Sequence, residues 1–179
     1  MGVGARTRVF FALWPDLSVR SVLAQVAAEA QAECGGRATP LPKLHVTLFF
    51  VGDVERARIG ALESCAGTVR AGSFELDMSV LGYWRHNRIV WAGARRSPAA
   101  LGSLVAQLTA NLALAGMAAE DRPYVPHVTL VRNARAATTH TRLNPPVWDV
   151  REFVLVQSVR AASASRYDVL ARWPLAPRL

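Results

Sequence analysis

Apolar residues run along the chain in two rhythms, alternating over short stretches and recurring every three or four positions over longer ones. Residues 6–14 are β-branched, aromatic and aliphatic and predict a buried strand, and Pro15-Asp16-Leu17-Ser18 then predicts the turn into an Ala-rich helix ending near Cys34. Gly35-Gly36 stops that helix, and a loop through Pro40 and Pro42 leads to a strand over 44–51, closed by Gly52-Asp53. A second helix is predicted over 56–69. Residues 74–83 and 88–93 read as a hairpin around His86-Asn87, and Pro98 sits in the first turn of a third helix whose apolar spacing runs Leu101, Leu104, Val105, Leu108, Leu112 and stops near Gly116. After a loop over 118–126, a strand at 127–132 repeats the character of 44–51. Residues 133–146 are polar loop, and two strands, 147–159 and 166–173, close the chain. This order predicts an α+β fold with antiparallel sheets rather than a doubly wound parallel one.

Composition narrows the picture. At 179 residues, 51% hydrophobic and 19% charged, the chain suits a single domain over 1–179, with no low-complexity linker. A net charge of +8 and a pI near 10.9 favour phosphate-bearing partners, although an Arg- and Ala-heavy composition also follows from a GC-rich coding bias. Lys43 is the one lysine among 21 basic residues. Cys34 and Cys65 lack metal-ligand or disulfide-framework spacing, and no apolar run approaches membrane-spanning length, so the expected compartment is the cytoplasm and no membrane association is expected. No obligate protein partner is inferred.

The chemistry is carried by a repeat. His45-Val46-Thr47-Leu48 and His127-Val128-Thr129-Leu130 are identical and lie close to half a chain length apart. On a strand, each histidine shares a face with its threonine while valine and leucine point to the other. Two such strands related by a pseudo-twofold aim two His-Thr pairs into one cleft. Opening a phosphodiester needs a base for the attacking water and an acid for the leaving oxygen, and imidazole serves as either near neutral pH. A single His-x-Thr is more often a satisfied core histidine; the second copy changes the balance. For a zinc site, the remaining histidines are His86 and His140, both in predicted turns, with no HExxH or Cys/His cluster, so neither metal nor cofactor is expected.

The paired motifs resemble the two-histidine phosphoesterase superfamily, specifically the bacterial RNA 2′,3′-cyclic phosphodiesterases long labelled 2′-5′ RNA ligases. Weaker likenesses accompany them at residues 8–13, 88–91, 122–127 and 166–170. The resemblance implies a bilobal pseudo-twofold fold, two antiparallel sheets flanking a central cleft with helices outside, and hydrolysis of cyclic phosphates at RNA ends, or on small cyclic nucleotides, to 2′-phosphomonoesters. It implies that His45 protonates the departing 3′ oxygen, that His127 activates water, and that Thr47, Thr129 and Arg132 hold phosphate. The symmetric motifs themselves leave acid and base exchangeable. A regular pleat sets Arg132 on the face opposite His127, so its role calls for a strand end, a bulge or a long reach. Tyr124 and Phe10 are candidates for stacking on a base, each weighed against a packing role, and Lys43 and Arg122 lie near the motifs as possible extensions of a positive funnel. The rival functions are 2′-5′ ligation by the same site and a nucleotide- or RNA-binding module without turnover.

Overall fold

The computed structural model describes residues 5–118, 123–138, 147–160 and 165–178. Its strands are β1 (Arg6–Leu13), β2 (Arg37–Ala38), β3 (Val46–Glu55), β4 (Phe74–Leu76), β5 (Val80–Trp84), β6 (Ile89–Gly93), β7 (His127–Arg132), β8 (Trp148–Val150), β9 (Glu152–Arg160) and β10 (Ser165–Pro174). The helices are α1 (Leu17–Cys34), α2 (Ile59–Gly67) and α3 (Ala99–Leu114). Strands pair antiparallel in the order β10-β9-β1-β3-β7-β6-β5, with β2 added to β7, while β4 and β8 form a separate two-stranded sheet. The α+β class and antiparallel pairing expected from the sequence are what the chain adopts.

The large sheet has a seam. β1 and β3 share eight registered pairs, but β3 meets β7 at one, Val46 with Val128. These are the valines of the two repeated tetrapeptides. The pseudo-twofold therefore passes between the motifs; beyond the seam β7 takes up β2, while β6 pairs along β7 from His127 to Arg132. By the same antiparallel register His45 lies across from Thr129, and Thr47 across from His127.

Helix boundaries follow local chemistry. The Asp16 carboxylate accepts from the Val19 amide at 2.9 Å and caps α1. α3 ends in a Schellman arrangement, Met117 N–H to Leu112 O at 3.0 Å, with Gly116 at φ 76°. Leu101, Leu104, Leu108 and Leu112 of α3, and Val19, Leu23 and Ala27 of α1, are fully buried in one core with Phe11, Leu13, Val46 and Val128. Two predicted strands are each divided. The stretch 74–83 breaks at Asp77–Ser79, because Met78 turns into the core and Ser79 Oγ donates to Asp77, so β4 pairs with β8 rather than with its hairpin neighbour. The stretch 147–159 breaks at Arg151, whose carbonyl is taken by the Leu175 amide.

β2 lies where the sequence predicted only loop. Gly36, at φ +87°, makes its approach to β7 possible: a Cβ there would stand 2.5 Å from the Arg132 carbonyl oxygen and 2.9 Å from the Ala134 nitrogen. Gly36→Ala should lower stability by about 1–3 kcal/mol from backbone strain alone, a fall of several degrees in Tm by thermal denaturation. An unchanged melt would mean that the β2–β7 junction yields without cost.

Candidate active site

Both motif histidines sit at the seam with the same local wiring. Nδ1 of His45 donates to the Lys43 carbonyl at 2.6 Å, and Nδ1 of His127 donates to the Val125 carbonyl at 2.8 Å, each partner two residues upstream. A carbonyl can only accept, so in each neutral ring Nδ1 carries the proton and Nε2 is the acceptor nitrogen. Nε2 of His45 accepts from Thr47 Oγ1 at 3.1 Å.

Their surroundings differ. His45 is caged by Phe10, Trp14 and Tyr167, at ring-centroid distances of 4.9, 5.6 and 5.5 Å, with Trp14 stacked and Tyr167 edge-on. This apolar burial is the main reason its pKa is pushed down from 6.5 to about 4; the Lys43 carbonyl pulls it back, and the positive charges of Arg132 and His127 lower it further. His127 meets the edge of Trp84 at 4.4 Å. Trp84 leans on Trp91, whose ring lies across Gly82 and Gly93, where Cβ atoms would come within 2.1 and 2.7 Å of it.

Arg132 reaches the cleft through a bulge. Along β7, Val131 pairs with Val90 and Thr129 with Trp91, leaving Leu130 as an extra residue that reverses the alternation. Leu130 and Val131 are consequently both buried, and Arg132 shares the face of His127 and Thr129. β3 repeats the device: Leu48 is the extra residue between Phe49 and Thr47, and the position matching Arg132 is Phe50, 45% exposed at the cleft.

The cleft holds about 620 Å³ and is lined by His45, Thr47, His127, Thr129 and Arg132 with Arg37, Lys43, Asn87, Ser165 and Tyr167. Lys43 Nζ donates to Ser165 Oγ at 2.8 Å and lies over the Tyr167 ring. A second cavity of about 460 Å³ adjoins it through Thr47, Phe50, Trp84 and His127, walled by His86, Pro123, Tyr124 and Val125 with Val105 and Thr109 of α3. The Tyr124 hydroxyl donates to the Thr47 carbonyl at 3.2 Å, so the ring is held against the motif strand while 36% exposed.

The structure thus brings His45, Thr47, His127, Thr129 and Arg132 into one cleft and Tyr124 into its annex. Phe10 is placed differently from the sequence expectation of a base-stacking residue. It is 4% exposed, lines neither cavity, and packs on His45 from below because β1 is the buried centre of its half-sheet. Arg122 and His140 lie outside the described residues. Sequence reasoning missed Trp14, Tyr167, Phe50, Arg37 and Trp84; Gly82 on the neighbouring strand and Gly93 two residues along Trp91's own strand were the available sign of a packed tryptophan pair. Among the described residues, no group of three His, Cys, Asp or Glu could hold a metal ion, and no helix is long and apolar enough to cross a membrane.

Two histidines facing each other across a strand seam, each with a threonine, in an α+β fold, define a two-histidine phosphoesterase. The chain belongs to the 2′-5′ RNA ligase superfamily, whose family model matches residues 16–162. It is 34% identical over 172 residues to the RNA 2′,3′-cyclic phosphodiesterase of Escherichia coli, covering 94% of this chain and 96% of the relative. The RNA 2′,3′-cyclic phosphodiesterase of Thermus thermophilus is 27% identical over 184 residues, 94% of this chain and 90% of that one. The crystal structure of E. coli LigT complexed with 3′-AMP superposes with a TM-score of 0.89 at 33% identity, covering 96% of this chain and 99% of that chain.

Proposed function

We propose that this protein hydrolyses 2′,3′-cyclic phosphates at RNA ends, in the cytoplasm and without a metal, leaving 2′-phosphomonoesters. The observation that carries the reading is the pairing of Val46 with Val128, which supports a site in which both His-Thr pairs line one cleft. Names and bound ligands of the relatives, cyclic phosphodiesterases and 3′-AMP, support the same substrate class.

In this mechanism Nε2 of His127 takes a proton from water as its oxygen bonds to phosphorus. The P–O3′ bond breaks, and the 3′ oxygen takes the proton on Nε2 of His45. Thr47, Thr129 and Arg132 hold the non-bridging oxygens, where negative charge grows. The two rings end with protonation exchanged and reset through solvent. Tyr124, Trp84 and Phe50 offer flat faces for the nucleobase in the annex.

His45 is neutral in the empty cleft at neutral pH, so a donor role requires it to gain a proton when an anion arrives. Bound phosphate supplies the opposing charge and offsets the repulsion from Arg132. The sign follows: between about pH 4 and the raised value, anion binding takes up protons, and affinity rises as pH falls. Sulfate, which stays fully ionised, should therefore bind near pH 5.5 with net proton uptake, measured calorimetrically in buffers of different ionisation enthalpy. His45→Gln should abolish the uptake; uptake that persists in the variant would move the proton to another group.

The deciding experiment incubates the protein with an RNA ending in a 2′,3′-cyclic phosphate in excess EDTA and locates phosphate in the product. A 2′-phosphate is expected. Turnover only on adding metal would refute the metal-free mechanism, lengthened RNA would establish ligation, and unchanged RNA under every condition would leave a binding module.

A further inference from the structure

One scissile phosphate does not account for the positive charge in the cleft. In the proposed mechanism Thr47, Thr129 and Arg132 hold that phosphate, yet Arg37 and Lys43 also line the cavity, and among the described residues no carboxylate does. Arg37 and Arg132 are direct cross-strand partners in the β2–β7 pair. Because the Leu130 bulge turns Arg132 toward the cleft, its partner Arg37 faces the cleft as well. Like charges set directly opposite on a sheet destabilise it. Among the described residues neither guanidinium donates to a protein acceptor or pairs with a carboxylate, although exposed arginines elsewhere in the chain do, such as Arg166 with Asp168 and Arg151 with Asp149. The pair is also fixed in place: Gly36, immediately before Arg37, has a positive φ that glycine adopts easily and other residues do not, and the Thr39 amide donates to Leu130 O at 2.7 Å. A two-residue strand with that anchoring serves to hold Arg37 across from Arg132.

We propose that Arg37, with Arg132 opposite and Lys43 beyond, forms a second phosphate subsite that takes the 5′-phosphate of the terminal nucleotide, so that the enzyme selects RNA ends over free cyclic nucleosides. The proposal rests on the cyclic-phosphate reading above and names its substrate class. Two anions between three cations relieve the cross-strand repulsion, and guanidinium forks suit phosphate oxygens. A cleft of about 620 Å³ has room for a nucleotide carrying two phosphates.

The test is a binding measurement that does not depend on turnover, followed by kinetics. Adenosine 2′,5′-bisphosphate should bind the parent protein at least tenfold more tightly than adenosine 2′-monophosphate at low salt, and the difference should shrink as salt rises. Arg37→Ala should remove that difference while leaving 2′-monophosphate affinity within about twofold. In kinetics, Arg37→Ala should raise KM for a dinucleotide 2′,3′-cyclic phosphate about tenfold and leave a nucleoside 2′,3′-cyclic phosphate unaffected. Equal affinity for the two adenosine phosphates, or an equal loss for both in Arg37→Ala, would overturn the subsite whether or not the protein is active. Hydrolysis of cyclic nucleosides with no gain from a 5′-phosphate would overturn it too while leaving the proposed function intact. Arg37→Lys, which keeps the charge at an exposed position, should retain part of the preference and guards against misfolding as the explanation.

Discussion

His45→Gln and His127→Gln should each lower kcat on a 2′,3′-cyclic phosphate by about 10²–10⁴-fold, the range for loss of a placed general acid or base. Glutamine keeps much of the ring's volume in the Phe10–Trp14–Tyr167 cage and beside Trp84, so thermal melts should stay close to the parent and separate lost chemistry from lost fold. The double variant should be little worse than either single one, because the two groups act in one proton-transfer step. The parent's kcat should trace a bell in pH, one ring neutral and one charged, and each variant should lose a limb of it. Activity within tenfold of the parent in either variant would remove that histidine from the reaction.

Arg132→Ala should have the next largest effect, about 10²–10³-fold in kcat/KM, as for removal of one donor from a site of developing negative charge. Arg132→Lys should recover part of it, since a point charge remains while the two-pronged geometry is lost. If the bulge at Leu130 is what delivers the side chain, the loss should appear in kcat as well as KM, because oxygens gaining charge in the transition state are held more tightly than in the ground state. A change confined to KM would make Arg132 a general attractor of anions. His45 offers an independent reading: with Arg132 gone, one cause of its lowered pKa is gone, and the ring should titrate higher by NMR.

The seam was legible in the sequence because two identical tetrapeptides near half-chain spacing specify which residues share a face. Arg132's orientation was not legible from a period of two, since a bulge reverses parity without changing composition. A local sign exists in hindsight: Leu130-Val131 and Leu48-Phe49 are adjacent apolar pairs that break the alternation of an otherwise regular strand, and both members of each pair are buried. The aromatic cage of His45 was hidden for another reason. Trp14 and Tyr167 come to the ring from segments distant in the chain, and strand order is set by tertiary packing. β2 was hidden because two residues carry no periodicity, and the divisions at Asp77–Ser79 and Arg151 because isolated polar residues in apolar runs read equally well as one face of a continuous strand.

The doubled bulge has a consequence for how a ligand is oriented. A cleft with true twofold symmetry would accept its ligand equally in either direction, and half of all encounters would present the wrong ester oxygen to the acid. Five residues after each histidine the copies diverge, to Phe50 on one strand and Arg132 on the other. A nucleotide is itself lopsided, one end flat and apolar, the other anionic. Matching the two asymmetries makes the cleft polar in the sense that a socket is keyed, and divergence at a cleft-facing position of an internal repeat gives a symmetric scaffold a direction.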